Sequence, residues 1–183
     1  MRIISGKYKG RIIDGFDIDG TRPTMERVKE SLFAMIQGNL MGCNCLDLFS
    51  GSGNLGIEAL SEGASSAVLV DNNMKAIRVI EGNVKKLSID KDNVDIVKAD
   101  YCDALKKFRD LNKKFDLIFL DPPYKTNYLQ KSLMFIEKYD LLGDNGLVVC
   151  ESDSLEKVIY SDYYIYKKDR VYGDKIVVIL AKR

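Results

Sequence analysis

The apolar positions of the chain fall into two alternating rhythms. Short, almost unbroken apolar runs at 43–49, 67–71, 94–99, 115–121 and 147–151 predict buried strands. Between them, apolar residues recur at helical spacing: first in a stretch that ends at Gly63, then over 73–87, 101–111 and 127–139. Ahead of the first strand, Thr24 reads as the N-cap of a helix reaching about residue 37. Val28, Leu32 and Ile36 share one face of it, and Gly38 lies just past its end. Residues 2–13 repeat an Arg-Ile-Ile step around a Gly/Lys turn, the pattern of a β-hairpin with a basic tip, and 14–23 read as a loop. At the other end, 163–167 and 176–181 flank Tyr172-Gly173-Asp174 and predict an antiparallel hairpin on a sheet edge.

Strand–helix alternation of this kind implies an α/β fold with a doubly wound, mostly parallel sheet. No linker, repeat or low-complexity segment interrupts it. The expected organisation is a basic hairpin and loop at 1–23, followed by one α/β domain at 24–183. Ligands of such sheets bind outside the carboxyl ends of the strands, so the residues just after each strand carry the functional question.

Composition changes the picture in one respect. A length of 183 residues suits a single domain, but the chain contains no histidine. Ser-His-Asp and Cys-His nucleophilic sites, HExxH zinc sites and every His acid–base mechanism are excluded. Lys+Arg 28 against Asp+Glu 27 leaves a net charge of +1, so the protein does not coat nucleic acid by bulk charge. Positive charge is instead local. Arg2, Lys7, Lys9 and Arg11 precede the first acidic residue, and Lys106, Lys107, Arg109, Lys113 and Lys114 form a cluster that reads as a solvated helix and its exit. Cys43, Cys45, Cys102 and Cys150 lack any CxxC spacing, and three of them lie in strand-like runs, the pattern of buried thiols and not of a metal site. The N-terminus has no signal-peptide h-region, and no apolar run has the length of a membrane span. A cytoplasmic, soluble protein without membrane partners is expected.

The first strand runs into Asp47-Leu48-Phe49-Ser50-Gly51-Ser52-Gly53-Asn54-Leu55-Gly56. Gly51, Gly53 and Gly56 fit G-x-G-x-x-G between a strand and a helix, where glycines permit a tight turn and close backbone approach to a nucleotide. Asp71 ends the second strand, twenty positions after Gly51, where a carboxylate suits ribose hydroxyls. Asp100 ends the third, beside Tyr101, where an acceptor suits an adenine amine. Both aspartates also have a reading as helix caps, and for Asp100 the two readings weigh equally. Asp47, four residues before Gly51, suits an ammonium and repels a pyrophosphate, which favours S-adenosylmethionine over a dinucleotide. The Asp-Leu-Phe-Ser-Gly-Ser-Gly pattern resembles the first motif of class I methyltransferases.

The fourth strand ends Asp121-Pro122-Pro123-Tyr124, the sharpest feature of the chain. Two prolines fix φ and make a rigid turn. The Asp121 carboxylate and the Pro122 carbonyl are placed to accept both hydrogens of one –NH₂ group, which steers the nitrogen lone pair toward a methyl donor. Tyr124 offers a flat face for a base. The motif resembles the (Asp/Asn/Ser)-Pro-Pro-(Tyr/Phe/Trp) signature of methyltransferases that act on exocyclic or amide nitrogens.

Residues 2–13, the run Thr21-Arg22-Pro23-Thr24 through Phe33, the glycine loop, Asp121–Tyr124 and the late Arg170-Val171-Tyr172-Gly173-Asp174 together resemble the bacterial 16S rRNA guanine-N2 methyltransferase family, in matching order along the chain. That resemblance implies a seven-stranded Rossmann-like methyltransferase sheet. It implies that Asp47, Ser50, Gly51, Gly53, Asp71, Asn72, Asp100 and Tyr101 hold S-adenosylmethionine, the product being S-adenosylhomocysteine, with no metal. Asp121, Pro122 and Tyr124 become the catalytic group, with Pro123 on the guanine. Arg22 and Thr24 become a loop over the site, and Arg2, Lys7, Lys9 and Arg11 the grip on 16S rRNA or the small ribosomal subunit, the protein acting as a monomer. One departure is Glu62, where an arginine is common in the family.

Three rival readings remain open at this point. A DNA adenine or cytosine N-methyltransferase shares the Asp-Pro-Pro-Tyr chemistry but needs a target-recognition insert for which the chain has little room. A protein glutamine methyltransferase generally carries Asn where Asp121 stands. A non-catalytic RNA-binding module would not need Asp47, Asp71, Asp100 and Asp121 together. Without histidine, and with Asp121 as an ionised acceptor, the expected activity shows no essential group near the ordinary histidine pKa of about 6.5.

Overall fold

The computed structural model describes residues 1–16, 23–123, 126–153 and 157–183, with the backbone alone at 23–25. Seven strands, β1 (Asn44–Asp47), β2 (Ser66–Asp71), β3 (Val94–Lys98), β4 (Phe115–Leu120), β5 (Leu142–Asp153), β6 (Tyr164–Tyr172) and β7 (Lys175–Lys182), form one sheet in the order β3-β2-β1-β4-β5-β7-β6. The first five run parallel, and β7 pairs antiparallel with both β5 and β6. Helices α1 (Pro23–Ile36), α2 (Asn54–Ser61), α3 (Met74–Leu87), α4 (Tyr101–Asp110) and α5 (Tyr128–Lys138) cover both faces.

The near-continuous apolar runs follow from that double cover, since a strand buried on both sides has no polar face. Cys45, Leu69, Phe119, Val149 and Val177 point into one core layer with Leu32 and Phe33 of α1, Ile57 of α2 and Ile80 of α3. Leu46, Val70, Leu120, Val148 and Leu180 point into the other with Phe108 of α4 and Leu133 and Ile136 of α5. Three of the four cysteines are buried and all are free thiols.

Two strands depart from the expected limits. β5 begins at Leu142, ahead of the apolar run, because Leu142 pairs with Phe115 across an irregularity in β4. β6 continues to Tyr172, well past residue 167, although seven of its nine residues are exposed. It is the outer strand of the sheet, and edge strands carry lysines and acids that discourage further pairing, which hides them from an apolar-run criterion. The closing hairpin turns on Gly173 (φ +64°) and Asp174, as the Tyr-Gly-Asp pattern predicts.

The N-terminal segment turns back on itself in a short hairpin: Arg2 bridges Ile12 antiparallel, Ile3 N donates to Arg11 O at 2.9 Å, Gly10 N to Ile3 O at 2.9 Å and Ile13 N to Met1 O at 2.8 Å, and the tip is a 3-10 turn at Gly6–Tyr8. The amides of Ile4 and Ser5 do not cross to a partner strand. They donate to the Glu58 carboxylate of α2 at 2.8 and 3.0 Å, and Tyr8 N donates to Ser61 Oγ at 3.0 Å. Ile3, Tyr8 and Ile13 sink into the core. Glu58 in turn meets Lys29 of α1 at 2.6 Å, with side chains 0% and 3% exposed, and Lys29 Nζ also donates to Arg2 O and Asn54 Oδ1. A buried ion pair thus clamps the N-terminal segment, α1 and α2 together.

Candidate active site

The strand order turns back between β1 and β4, and the carboxyl ends of these neighbours open the crevice in which α/β folds hold ligands. A cavity of about 460 Å³ lies there. Gly51, Asp71, Asn72 and Tyr101 line one side of it, and Asp121, Pro122 and Pro123 the other.

The glycine loop is built by its own backbone. Gly53 N donates to Ser50 O at 2.7 Å, Ser50 N to Val70 O at 2.9 Å, and Ser50 Oγ to Asp47 O at 2.7 Å. Gly51 and Gly53 have φ of +54° and +79°, the left-handed region that glycine enters without strain. At Gly56 the requirement is space: a Cβ would fall 2.1 Å from Leu69 Cδ2, so glycine lets α2 approach β2.

Asp47 lies beneath this loop, 1% exposed, and not along the cavity. Its Oδ2 accepts from Gly56 N at 3.0 Å. Burial pushes its carboxyl up to about 7. Asp71 adds to the rise, against the lowering hydrogen bonds from Gly56 and Ser50. Ser50 and Gly53 likewise serve the loop and do not line the cavity. Asp71 does both: one oxygen accepts from Gly51 N at 2.9 Å and the other from Asn73 N at 2.8 Å, while its side chain borders the cavity. The cap of α3 is Asn73, which accepts from Lys75 N, so the capping reading of Asp71 falls. Asp100 is a cap: it accepts from Cys102 N at 2.9 Å at the start of α4, and its neighbour Tyr101 faces the cavity.

Asp121 follows β4, facing the cavity, with its carboxyl pushed up to about 8. Burial is the main cause. Glu151 and Asp47 add to the rise, and Lys175 opposes it. Burial at the crevice thus moves this carboxyl from the ordinary carboxylate range toward neutrality.

Arg22 and Tyr124 lie outside the described residues, as does the side chain of Thr24 in the first turn of α1. Lys7, Lys9 and Arg11 are exposed, and the tip of their segment packs against Ser61, at the opposite end of α2 from the glycine loop. Arg2 is exposed on the same segment. The cluster at 106–114 is largely paired, Arg109 with Asp110, Lys113 with Asp95 and Lys114 with Asp140.

Further residues on the cavity wall escape sequence reasoning, among them Phe16, Phe49, Tyr128 and Lys175. Phe49 and Tyr128 lie nearly parallel (4°) with ring centroids 6.3 Å apart, and Tyr101 is 4.9 Å from Tyr128. Phe49 ends an apolar run and Tyr128 starts a helix, so both read as core. Lys175 sits in a hairpin that only the antiparallel return of β7 carries back to the site.

The family model described as conserved hypothetical protein 95 matches residues 1–181. YlbH of Bacillus subtilis is 40% identical over 100% of both chains. Ribosomal RNA small subunit methyltransferase D of Buchnera aphidicola is 39% identical over 93% of this chain and 86% of its own length. Among solved structures, yhhF from Escherichia coli superposes with a TM-score of 0.87 at 27% identity, covering 100% of this chain and 98% of that one.

Proposed function

The chain belongs to the conserved hypothetical protein 95 family, and from that premise we propose that it transfers a methyl group from S-adenosylmethionine to the exocyclic N2 amine of a guanine in 16S rRNA. The observation that carries the reading is the shared cavity: a nucleotide-type glycine turn with Asp71 on one side, and the Asp121-Pro122-Pro123 turn on the other. Relatives named as small-subunit rRNA methyltransferases favour ribosomal RNA over DNA. The protein acts as a cytoplasmic monomer on naked rRNA or the small subunit.

The residues present fit the cofactor. Asp71 keeps lone pairs beyond its two backbone bonds for ribose hydroxyls. Tyr101, Phe49 and Tyr128 give an aromatic wall for an adenine. The turn that Asp47 supports from beneath reaches the cavity through Gly51, whose backbone suits the amino-acid end. When bound, S-adenosylmethionine supplies a methyl group already activated by its sulfonium. The chain's own task is alignment, a contribution of up to about 7–11 kcal/mol. Asp121 and the Pro122 carbonyl hold the two amine hydrogens and aim the lone pair, and Asp121 or water takes the proton lost after transfer. The base must be splayed from folded RNA to reach them.

Methyl transfer from labelled cofactor to naked 16S rRNA, unmodified small subunits and DNA, followed by nucleoside analysis, tests the reading. N2-methylguanosine in rRNA is expected; label in DNA or in another base overturns it.

The pH dependence has a definite sign. The competent form of Asp121 is the ionised acceptor, and its carboxyl titrates at about 8. The free-enzyme quantity kcat/KM therefore rises with pH and levels off above about 8. The cationic cofactor moves the corresponding limb of kcat to lower pH. Asp121→Asn should remove this limb; a limb that survives belongs to another group, such as Asp47.

The segment at 1–23 is read as the rRNA grip. Reversing the charges of Lys7, Lys9 and Arg11 is expected to weaken rRNA binding and to lower the slope of log K against log salt by about 2–3. An unchanged slope would leave the segment a structural clamp only.

A further inference from the structure

Three adjacent strand ends place charged side chains on one face beside the Pro-Pro turn. Leu120 of β4 pairs with Cys150 of β5, which makes Asp121 and Glu151 next in register. Glu151 pairs with Val177 of β7, and Lys175 lies two residues before it on the same face. Phe119, Val149 and Val177 all enter the α1-side core layer, so Asp121, Glu151 and Lys175 continue that face to the carboxyl edge of the sheet.

Lys175 borders the same cavity as Asp121 and Pro122, and its ammonium donates to the buried Glu151 carboxylate. The sulfonium that must come up to the reacting amine is a cation and repels a lysine, and the cofactor's one anionic group, its carboxylate, belongs to the amino-acid end at the glycine turn. A lysine beside Asp121 and Pro122 therefore suits the other ligand.

A guanine presents three groups in a row along one edge: the N2 amine, the N1–H donor and the O6 acceptor. With the amine held by Asp121 and the Pro122 carbonyl, the second Asp121 oxygen is beside N1–H, and the next position calls for a donor. We propose that Lys175, held in place by Glu151, donates to O6 of the target guanine and, together with Asp121 at N1–H, selects guanine among amine-bearing bases: adenine lacks the carbonyl, and cytosine, which has one, lacks the N–H. This rests on the guanine-N2 reading above. Lys175 has three donors, so it keeps its bond to Glu151 while reaching the base. Adenine, with its amine in the clamp, offers no carbonyl there and turns the N1 lone pair toward Asp121.

The test uses rRNA carrying guanine or 2-aminopurine at the mapped target position. Both bases bear the 2-amine, but 2-aminopurine lacks O6 and N1–H. The wild-type enzyme is expected to favour guanine by about a hundredfold in kcat/KM. Lys175→Met should cut that ratio about tenfold, mostly by lowering turnover of guanine, with S-adenosylhomocysteine affinity unchanged. Glu151→Gln, which still accepts from Lys175, should keep the ratio. If Lys175→Met fails to fold around the buried carboxylate, Lys175→Met/Glu151→Met decides, because replacing both members of a buried pair by apolar groups is generally tolerated. A folded variant without Lys175 that keeps the wild-type ratio overturns this role alone. A wild-type product other than N2-methylguanosine overturns the guanine reading and this one with it.

Discussion

Asp121→Ala lowers kcat for methyl transfer by about 10²–10³ while leaving the Kd for S-adenosylmethionine within about tenfold; this is the expected result for a clamp on the amine. The carboxylate lines the cavity with Pro122 and Pro123, after β4, whereas Gly51 and Asp71 line it after β1 and β2. Removing it frees one amine hydrogen and lets the nitrogen lone pair swing away from the methyl, a loss felt in the transition state and not in cofactor binding. Single-turnover rates and equilibrium binding on one preparation separate the two. Loss of both properties, or of neither, would sink the assignment. Asp121→Asn restores one acceptor oxygen and should recover part of the rate. It should also raise Tm at neutral pH. An aspartate is ionised above about 4 in the unfolded chain, whereas this one holds its proton up to about 8 in the fold. Its stabilising contribution is therefore complete below the lower value and is lost as pH rises toward the upper one.

The second large effect concerns stability. Lys29→Met or Glu58→Gln should each destabilise the fold by about 3–5 kcal/mol, because either leaves a buried charge without its partner. For a chain of this size that is a Tm lower by about 6–20 °C. Burial already holds the Lys29 ammonium below its ordinary pKa, with Glu58 opposing the shift. The double change Lys29→Met/Glu58→Met should recover part of the loss but not all, since Ile4 N and Ser5 N would still lack the carboxylate that receives them. Urea unfolding measures the totals, and hydrogen exchange at Ile4 and Ser5 reports the clamp directly. Wild-type stability in the single variants would show that the N-terminal segment is not held through Glu58.

These two sites were unequally legible. The Asp121-Pro122-Pro123 turn is local: two prolines after a buried strand state their geometry in consecutive residues. The Lys29–Glu58 pair is not local. Lys29 reads as one more polar residue on the helix that carries Val28 and Leu32, and Glu58 as one in a short amphipathic helix. Only their burial against residues 2–5 shows that they fasten the N-terminal hairpin with a charged clamp. The glycine loop lies between these cases. Its glycines announce a tight turn, but Asp47 beneath the loop, in place of the cavity wall, follows from Gly56 drawing α2 onto β2. The edge strand β6 was only half visible because exposure on both sides removes the apolar signal.

By itself the sequence determined the alternation of strands and helices, the place of the site at the carboxyl ends, and the chemistry available without histidine. Those depend on hydrophobic period, turn residues and residue type, all written within a few positions of each other. The tertiary structure alone decided which side chains stand within reach of one another: Lys175 and Glu151 beside Asp121, and an aromatic wall drawn from three separate segments. It also decided that Asp121 titrates at about 8, because a pKa is set by burial and by charges that arrive from distant strands.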